Sequence, residues 1–304
     1  MNLKQRLSED GLAIFLFHGV INKNKGGVRN YTKKHLEKDF FYRFLLELKK
    51  QGYPLSMDEV MDHYKTDKPF PPRSFAVTFD DGFENNYSIA APILKELKLP
   101  ATFYVTTGFI EQNQMSWIDC VEYCLDLTPK GKLYLPWSRS ASIFENIEDK
   151  IRLLNHIRSR VKPDPSIDVE ALVGDIFSQC RIPAIEQNDD PLDLKMSWEQ
   201  VKELASDRNF IVGGHSHRHV NLAFLESSER ETEIAVSIDL LEQRAGIRCR
   251  HYSYPEGMDY CYSDEVIQVL KNHGIVCCPT AEEGINNGDN DLFHLKRMMV
   301  VSDQ

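Results

Sequence analysis

No apolar run in this sequence is long enough to cross a bilayer, which takes about 20 residues. The longest run near the N-terminus is Leu12–Phe17; His18 and Gly19 end it, and no small-residue cleavage site follows. Long basic tracts are missing as well. The 46 acidic residues outnumber the 36 lysines and arginines and give a net charge of −10. We therefore expect no transmembrane segment, no signal peptide and no nucleic acid partner.

The sequence also lacks the CxxC pairs that bind metal or exchange electrons. Its seven cysteines are an odd number, which argues against a disulfide framework and for reduced thiols in a cytoplasmic protein. With 42% hydrophobic and 27% charged residues, the composition is that of an ordinary globular protein. The length of 304 residues fits either two domains or one α/β barrel with an insertion.

Short apolar segments alternate with amphipathic helical segments along most of the chain, a pattern typical of a parallel α/β sheet or barrel. Among the helices, one is predicted over residues 87–97, and another begins at a capping box formed by Ser197 and Gln200. The predicted strands number about seven, near the count that closes a barrel. They cover residues 12–17, 75–79, 101–106, 210–213, 251–254, 275–278 and 295–300.

One stretch, residues 111–195, breaks this alternation. It has helical periodicity, several prolines and no convincing strand, so we interpret it as a helical insertion within a single barrel domain over residues 1–304. Because barrel loops often carry function, the insertion would form a lid or a wall of the substrate site. The alternative is that it only packs against the barrel.

Two adjacent carboxylates, Asp80 and Asp81, follow the predicted strand at residues 75–79, with Gly82 after them. In parallel α/β folds, ligands bind at the carboxyl ends of the strands, where these acids would lie. Consecutive residues leave a strand in opposite directions, so one acid would bind a cation while the other accepts a proton. The alternative is structural: an Asp-Gly turn in which Asp81 caps the next helix.

Three histidines, His215, His217 and His219, lie close together after another predicted strand and two glycines. Histidine is the commonest metal ligand near neutral pH, and a spacing of four places the first and third imidazoles on one side of a helical turn. His217 points elsewhere and is left out of the expected ligand set. A lone histidine is more often structural, but three at one strand end favour a metal site. The HExxH pattern of metalloproteases is absent.

Together the two motifs supply two imidazoles and a carboxylate. This set suits Zn²⁺ or another divalent transition metal with open positions for water and substrate. The other aspartate would then remove a proton from the water. Such a site hydrolyses a polarised carbonyl, either in an ester or in an amide.

The motifs in combination resemble those of the NodB-type polysaccharide deacetylases, carbohydrate esterase family 4. Residues 78–82 (TFDDG) and 215–219 (HSHRH) are similar to the family's first two motifs, and residues 252–257 (YSYPEG) to its third. Residues 101–105 (ATFYV) and 196–199 (MSWE) agree as well. The resemblance covers essentially the whole chain apart from parts of the insertion. It implies an α/β fold, a distorted (β/α) barrel of about seven strands.

The resemblance also implies roles for individual residues. Asp80 would be the catalytic base. Asp81, His215 and His219 would hold a divalent metal, for which Zn²⁺ is the expected ion.

The third motif departs from the family pattern at two positions. The family often has an arginine that orients the catalytic aspartate and an aromatic residue whose backbone N–H lies in the oxyanion hole; here these positions hold Ser253 and Glu256. A backbone donor survives a side-chain change, so the Glu256 N–H is still expected to serve the oxyanion. Arg297, in the last predicted strand, is the expected substitute for the arginine, unless it is an ordinary surface residue.

The family's general acid usually comes from a C-terminal Leu-x-His motif, which this sequence lacks. The first predicted strand, however, ends in residues 16–18 (LFH), as in circularly permuted family members. A barrel is cyclic, so moving one strand between the termini preserves the site. We expect His18 to protonate the leaving amine; the alternative is a core histidine hydrogen-bonded beneath the barrel rim.

These residues predict a metal-dependent hydrolase that removes an N-acetyl or similar small acyl group from an amino sugar. The substrate would be a surface polysaccharide or its nucleotide- or lipid-linked precursor, by analogy in O-antigen or exopolysaccharide synthesis. Two alternatives stay open: a non-catalytic carbohydrate-binding relative, which the replaced arginine favours, and an amide hydrolase for a non-sugar substrate. The net charge of −10 disfavours a polyanionic glycan.

Overall fold

A computed structural model of the chain describes residues 6–183, 185, 189–288 and 290–302. Residues 1–5, 184, 186–188, 289 and 303–304, which belong to the predicted domain and insertion, lie outside the described residues. The chain divides into two compact units. The first comprises Met1–Lys23, Lys34–Gln114 and Leu194–Gln304, and the second comprises Asn24–Lys33 and Met115–Asp193. That residues 1–304 form a single domain stays a prediction.

The described residues contain short β-strands in both units. They are β1 (Leu12–Phe17), β2 (Gly19–Ile21), β3 (His35–Glu37), β4 (Tyr53–Pro54), β5 (Ser74–Phe79), β6 (Ala101–Val105), β7 (Gly131–Leu133), β8 (Ser142–Phe144), β9 (Phe210–Gly214) and β10 (Met298–Met299).

Helices connect most of these strands. They are α1 (Lys38–Gln51), α2 (Met57–Thr66), α3 (Ala91–Leu97), α4 (Thr107–Gln112), α5 (Trp117–Leu127), α6 (Ile147–Val161), α7 (Val169–Cys180), α8 (Trp198–Ser206), α9 (Ser227–Ala245) and α10 (Asp264–Asn272). Single helical turns lie at Asn86–Ala90, Leu222–Phe224 and Asp259–Cys261. Within the described residues, no helix combines the length and the apolar composition that a bilayer-spanning helix needs.

A six-stranded parallel sheet in the first unit carries the candidate site. Its order is β10-β1-β5-β6-β9, and β4 pairs with the start of β5. Because every pair is parallel, the carboxyl ends of these strands lie at one edge, which we call the carboxyl edge. Strands β1, β5 and β6 are buried along their whole length, as expected for strands covered on both faces. The parallel sheet confirms the predicted α/β class.

The sheet is open in the described part of the chain, so the predicted closed barrel is not confirmed. Five of the predicted strands form, but residues 251–254 and 275–278 contribute only isolated bridges, from Gly214 to Tyr252 and from His251 to Cys277. Each segment is soon followed by a proline, Pro255 or Pro279. A proline has no N–H to extend a ladder, which explains why these strands stay rudimentary.

Two of the predicted helices differ in how closely the structure follows the local signals. Helix α8 begins at the predicted capping box: Ser197 is the N-cap, and its hydroxyl accepts from the Gln200 N–H. The helix predicted over residues 87–97 is divided instead: a π-helical turn at Asn86–Ala90 precedes α3. Pro92 cannot donate a backbone hydrogen bond to the preceding turn, which accounts for the change of winding.

The second unit is mostly helical. Helices α5, α6 and α7 contribute Val121, Leu154 and Ile176 to its core. It also contains a two-stranded antiparallel sheet, β7 with β8, where the sequence indicated no strand. Each strand has three residues, and Ile143 is 68% exposed, so no alternating pattern marks them. The lid or wall role of this segment stays a prediction.

Candidate metal and catalytic site

Four residues of the predicted site directly follow strands at the carboxyl edge. His18 comes after β1, Asp80 and Asp81 come after β5, and His215 comes after β9. Strand β1 is the direct neighbour of β5, whereas β6 separates β5 from β9. The order of the sheet thus brings together side chains that are far apart in the sequence.

Asp81, His215 and His219 form a compact group of three candidate metal ligands. One atom from each residue lies within 4.8 Å of the other two. Asp81 Oδ1 is 3.6 Å from His215 Nε2 and 3.3 Å from His219 Nε2. Zinc binds nitrogen and carboxylate oxygen at about 2.1 Å, which sets tetrahedral ligand atoms about 3.4 Å apart. The two measured separations match that spacing.

Burial of the carboxylate supports the same assignment. Asp81 Oδ1 is buried, and within the described residues it accepts no well-formed hydrogen bond. Burial alone would raise the pKa of Asp81, but the adjacent His219 imidazole outweighs that effect and the pKa lies well below its ordinary value. A buried, ionised oxygen with this environment is suited to a cation. The three residues therefore fit a divalent metal.

The His215 ring is oriented by Ser253. His215 Nδ1 lies 3.0 Å from the Ser253 carbonyl oxygen and 2.6 Å from its hydroxyl oxygen, and the hydroxyl itself donates to Asp80 Oδ1 at 3.3 Å. These acceptors place the proton on Nδ1, so Nε2 presents a lone pair toward Asp81. Burial also lowers the pKa of His215, which favours the neutral form that binds metal.

Several residues at this site have a left-handed backbone conformation. Four non-glycine residues there have positive φ angles: Asp81 (75°), Ser216 (61°), His219 (57°) and Glu256 (61°). Each costs conformational energy that the surroundings must offset. Side chains hold the histidine turn, because the Ser216 N–H donates to the Tyr252 hydroxyl and the His219 N–H donates to the Ser216 hydroxyl.

Asp80 forms an ion pair with Arg297. Arg297 is the residue expected from the sequence to replace the arginine that is missing from the third motif. The two terminal guanidinium nitrogens of Arg297 donate to the two carboxylate oxygens of Asp80, each at 2.8 Å. Arg297 is only 1% exposed, and its Nε donates to the Thr280 carbonyl oxygen at 2.5 Å. Burial alone would raise the pKa of Asp80, but Arg297 and His215 hold it below its ordinary value.

His18 lies at the same edge and is partly buried. Its backbone carbonyl accepts from Asn86 Nδ2 at 2.6 Å, and among the described residues its Nδ1 is buried without a hydrogen-bond partner. Burial lowers the pKa of His18 to about 4, although the carboxylates of Asp81 and Asp80 oppose the shift. The imidazole is therefore neutral near pH 7 in the free protein.

The loop that carries Glu256 is fixed by backbone contacts. The Gly257 N–H donates to the Pro255 carbonyl, and the Ala281 N–H donates to the Gly257 carbonyl, both at 2.7 Å. Gly257 has φ 62°, and a Cβ there would lie 2.6 Å from Ala281 N, so the position requires glycine. The neighbouring Thr280 carbonyl accepts from Arg297, which links this loop to the Asp80 pair.

Sequence reasoning missed Glu233, which holds the turn between the two histidines that are candidate ligands. This buried carboxylate on α9 accepts from the backbone N–H groups of His217 (2.8 Å) and Arg218 (2.5 Å), and from Arg218 Nε (2.7 Å). A glutamate in a helix rich in charged residues is usually expected to face solvent. The one sequence signal for burial of Glu233 was its position next to the apolar face of α9. His217, left out of the ligand set, lies 3.0 Å from the Thr107 hydroxyl through Nδ1.

Comparison with protein families gives a match over more than half of the chain. A family model described as polysaccharide deacetylase covers residues 67–278. The matched region includes both aspartates and the histidine motif. His18 and Arg297 lie outside it.

Curated proteins match over shorter stretches. The chain is similar to poly-beta-1,6-N-acetyl-D-glucosamine N-deacetylase of Staphylococcus aureus (strain MSSA476), with 39% identity over 59 residues, which is 19% of this chain. The protein of the same name from Escherichia coli (strain K12) is 33% identical over 73 residues, which is 24% of this chain. The alignments span 20% and 10% of these two relatives' own length.

Solved structures match over almost the whole chain. They include Streptococcus pyogenes deacetylase PplD in complex with acetate and IcaB from Ammonifex degensii. Each has a TM-score of 0.61 and 18% identity, and the match covers 97% of this chain and 94% of the other. At this identity the likeness shows a shared fold.

Proposed function

Because the chain belongs to the polysaccharide deacetylase family, we propose that it is a metal-dependent hydrolase that removes the acetyl group from an N-acetylated amino sugar of a glycan. One observation carries the proposal: the ligand group Asp81, His215 and His219 lies beside Asp80 in its bidentate pair with Arg297. The names of the curated relatives support N-acetylglucosamine as the sugar.

Zinc is the proposed metal. Two imidazoles and one carboxylate form a donor set that Zn²⁺ accepts, and three protein ligands leave a position for water or substrate. A divalent ion held by Asp81, His215 and His219 would polarise the acetamide carbonyl and lower the pKa of a water molecule.

Asp80 is the proposed general base. Arg297 keeps its carboxyl ionised at neutral pH, and Oδ2, which accepts one hydrogen bond from Arg297, keeps a second lone pair for the proton of the water that attacks the carbonyl carbon. The attack places negative charge on the carbonyl oxygen, and the Glu256 N–H is the proposed hydrogen-bond donor to it.

His18 is the proposed general acid. When the tetrahedral species breaks its C–N bond, the leaving nitrogen needs a proton, and His18 is the imidazole at the end of β1 that would deliver it. Because the ring is neutral in the free protein, the proton that Asp80 removes from the attacking water is the one that would reach His18, and the low pKa of the buried ring means that it gives this proton up readily to the nitrogen. The products are acetate and a glycan with a free amine.

We also propose that the fold is a distorted barrel and that the protein is cytoplasmic. The Cys278 N–H donates to the Leu292 carbonyl and the Thr280 N–H to the Leu295 carbonyl, both at 2.8 Å. These bonds support a distorted barrel in which the chain continues from residues 275–278 toward β10. The cytoplasmic location stays a prediction.

The alternative of a non-catalytic carbohydrate-binding relative loses its main support. That alternative relied on the replacement of the motif-three arginine by Ser253. Arg297 supplies a guanidinium to Asp80 from another part of the chain.

We expect the zinc-loaded protein to release acetate from N-acetylglucosamine oligomers and to stop doing so when a chelator removes the metal. The experiment measures acetate from a panel that contains these oligomers, nucleotide-linked N-acetylglucosamine and simple non-sugar acetamides. Glycan binding without acetate release from any sugar would favour the binding relative. Acetate release only from the non-sugar amides would contradict an amino-sugar substrate.

The variant His18→Ala is expected to turn over about 10²-fold more slowly than wild type, because water then replaces the general acid. Its metal content should be unchanged, since His18 lies outside the ligand group. The matched control is His63→Ala, which removes a histidine of α2 whose Nδ1 faces the Lys68 carbonyl; its turnover should stay at the wild-type level. Undiminished turnover in His18→Ala would remove this residue from the mechanism.

A further inference from the structure

Two cysteine side chains of the second unit meet where α5 packs against α7. Cys124 on α5 is fully buried, and Cys180, the last residue of α7, is partly exposed. Cys124 Sγ lies 3.9 Å from the carbonyl oxygen of Ile176, which is one helical turn before Cys180. The two thiols also share a side-chain hydrogen bond. The two sulfur atoms are therefore neighbours although they belong to different helices.

The two thiols differ in reactivity. The pKa of Cys180 lies below its ordinary value, because the Cys124 thiol donates a hydrogen bond to its sulfur and outweighs the effect of partial burial. The hydroxyl of Thr128 and the ammonium group of Lys150, a buried residue of α6, act in the same direction. The same hydrogen bond and burial raise the pKa of Cys124. Cys180 is thus the nucleophile of the pair, and Cys124 keeps its proton.

The cysteines of the first unit are in a different environment. Cys249, Cys261, Cys277 and Cys278 are buried. Burial raises the pKa of three of them, Cys249, Cys277 and Cys278. A thiol that is protonated and shielded from solvent reacts slowly with an oxidant. An oxidant is therefore expected to act first on the pair in the second unit.

We propose that Cys124 and Cys180 form a reversible disulfide when the protein meets a hydroperoxide, for which hydrogen peroxide is the probe. The Cys180 thiolate attacks one peroxide oxygen, the O–O bond breaks, and the released hydroxide takes up a proton and leaves as water. Cys180 is then a sulfenic acid. The Cys124 sulfur displaces hydroxide from the Cys180 sulfur, and the Cys124 proton converts this hydroxide to a second water. One peroxide is reduced to two waters as two thiols become one disulfide.

A bridge at this place ties the end of α7 to α5. The loop that it closes contains β7, β8 and α6, so it restricts the unfolded chain and stabilises the folded second unit. A dithiol reductant reverses the bridge by thiol–disulfide exchange. Neither cysteine belongs to the candidate metal ligands or to the pair of Asp80 with Arg297. The inference therefore goes beyond the proposed function and does not depend on it.

The test treats the reduced full chain with an equimolar amount of hydrogen peroxide and maps its peptides without reduction. We expect a cross-linked pair of peptides that contains Cys124 and Cys180 and that dithiothreitol separates. In denaturant, two of the seven thiols should no longer react with a thiol reagent. The midpoint of thermal unfolding should rise by about 5 °C or more on oxidation and return to its starting value on reduction.

Substitution of single cysteines assigns the roles. In Cys124→Ala the sulfenic acid on Cys180 has no partner, so dimedone should label Cys180. In Cys180→Ala the buried and protonated Cys124 should stay unlabelled. Both variants should lose the rise in the thermal midpoint. Cys120→Ala is the matched control, because Cys120 lies one turn before Cys124 on α5 and is partly exposed like Cys180; its cross-link and its rise should equal those of wild type.

Three results would overturn the proposal. They are a cross-link that uses Cys120 or joins two chains in place of the one between Cys124 and Cys180, the absence of any cross-link, and a cross-link without a rise in the midpoint. The last would show that the bridge does not form in the folded state. Thermal unfolding of the reduced variants checks that each is folded. If Cys124→Ala is not, dimedone added to wild type during oxidation should trap the sulfenic acid on Cys180, and labelling of another cysteine in its place would exclude Cys180 as the nucleophile.

Discussion

Asp80→Asn is expected to lower kcat by about 10²- to 10⁴-fold while the metal stays bound. The amide has nearly the shape of the carboxylate, but it cannot accept the proton of the attacking water. Asp80 is also outside the ligand group of Asp81, His215 and His219. Acetate release at saturating glycan gives kcat, and mass spectrometry of the metal gives the occupancy of the same sample.

Two variants control this result. Asp58→Asn makes the same chemical change in an aspartate that pairs with His251 at 2.9 Å and has no place in the mechanism, so its kcat should stay near wild type. His215→Ala should lose the metal together with the activity. Wild-type kcat in Asp80→Asn would exclude Asp80 as the base, and full metal occupancy in His215→Ala would exclude the ligand set.

Arg297→Met is expected to move the acid limb of the kcat/KM profile to higher pH. In wild type the guanidinium helps hold the pKa of Asp80 below its ordinary value against the effect of burial. Without Arg297, burial is less opposed and the pKa of Asp80 rises. Asp80 then becomes protonated, and inactive as a base, at a pH where the wild-type carboxyl is still ionised. The measurement is kcat/KM against pH.

The same variant should also lower the free energy of unfolding by about 3–5 kcal/mol, because a buried carboxylate loses its partner. Chemical denaturation measures this loss. Arg297→Lys keeps the charge but not the two-pronged geometry, so its acid limb should shift less. The surface pair of Arg244 with Glu111 is also bidentate, and Arg244→Met should leave the profile unchanged. An acid limb at the wild-type pH in folded Arg297→Met would show that Arg297 does not control Asp80.

Local sequence signals predicted most of what lies on a single element. The TFDDG motif begins within β5 and places its aspartates just after the strand, and the HSHRH motif directly follows β9; their position at strand ends is a property of a few neighbouring residues. The capping box of Ser197 and Gln200 is equally local, and the structure confirms it. The structure differs from the predicted secondary structure where the local sequence signal is weak. Two predicted strands are shortened before prolines, and a π-helical turn precedes Pro92. The second unit contains two three-residue strands that were not predicted.

Side-chain partners within the site were harder to predict. Arg297 was named for its type and its place in a late strand, but only the packed chain shows both nitrogens on Asp80. Glu233 and the hydroxyl of Ser253 carried no sequence signal for their contacts with the histidine turn and with His215. Each of these contacts joins elements that are distant in the sequence.

By itself the sequence determined the α/β class, the strand ends that carry Asp80, Asp81 and His215, and the set of residue types suited to a divalent metal. These depend on hydrophobic periodicity and on turns of a few residues, which are local properties. The tertiary structure alone decided that Arg297 neutralises Asp80, that Glu233 fixes the histidine turn and that the sheet stays open in the described residues. These depend on strand order and on how distant side chains pack in a low-dielectric interior, where an ion pair or hydrogen bond forms only if its two partners meet with the right geometry.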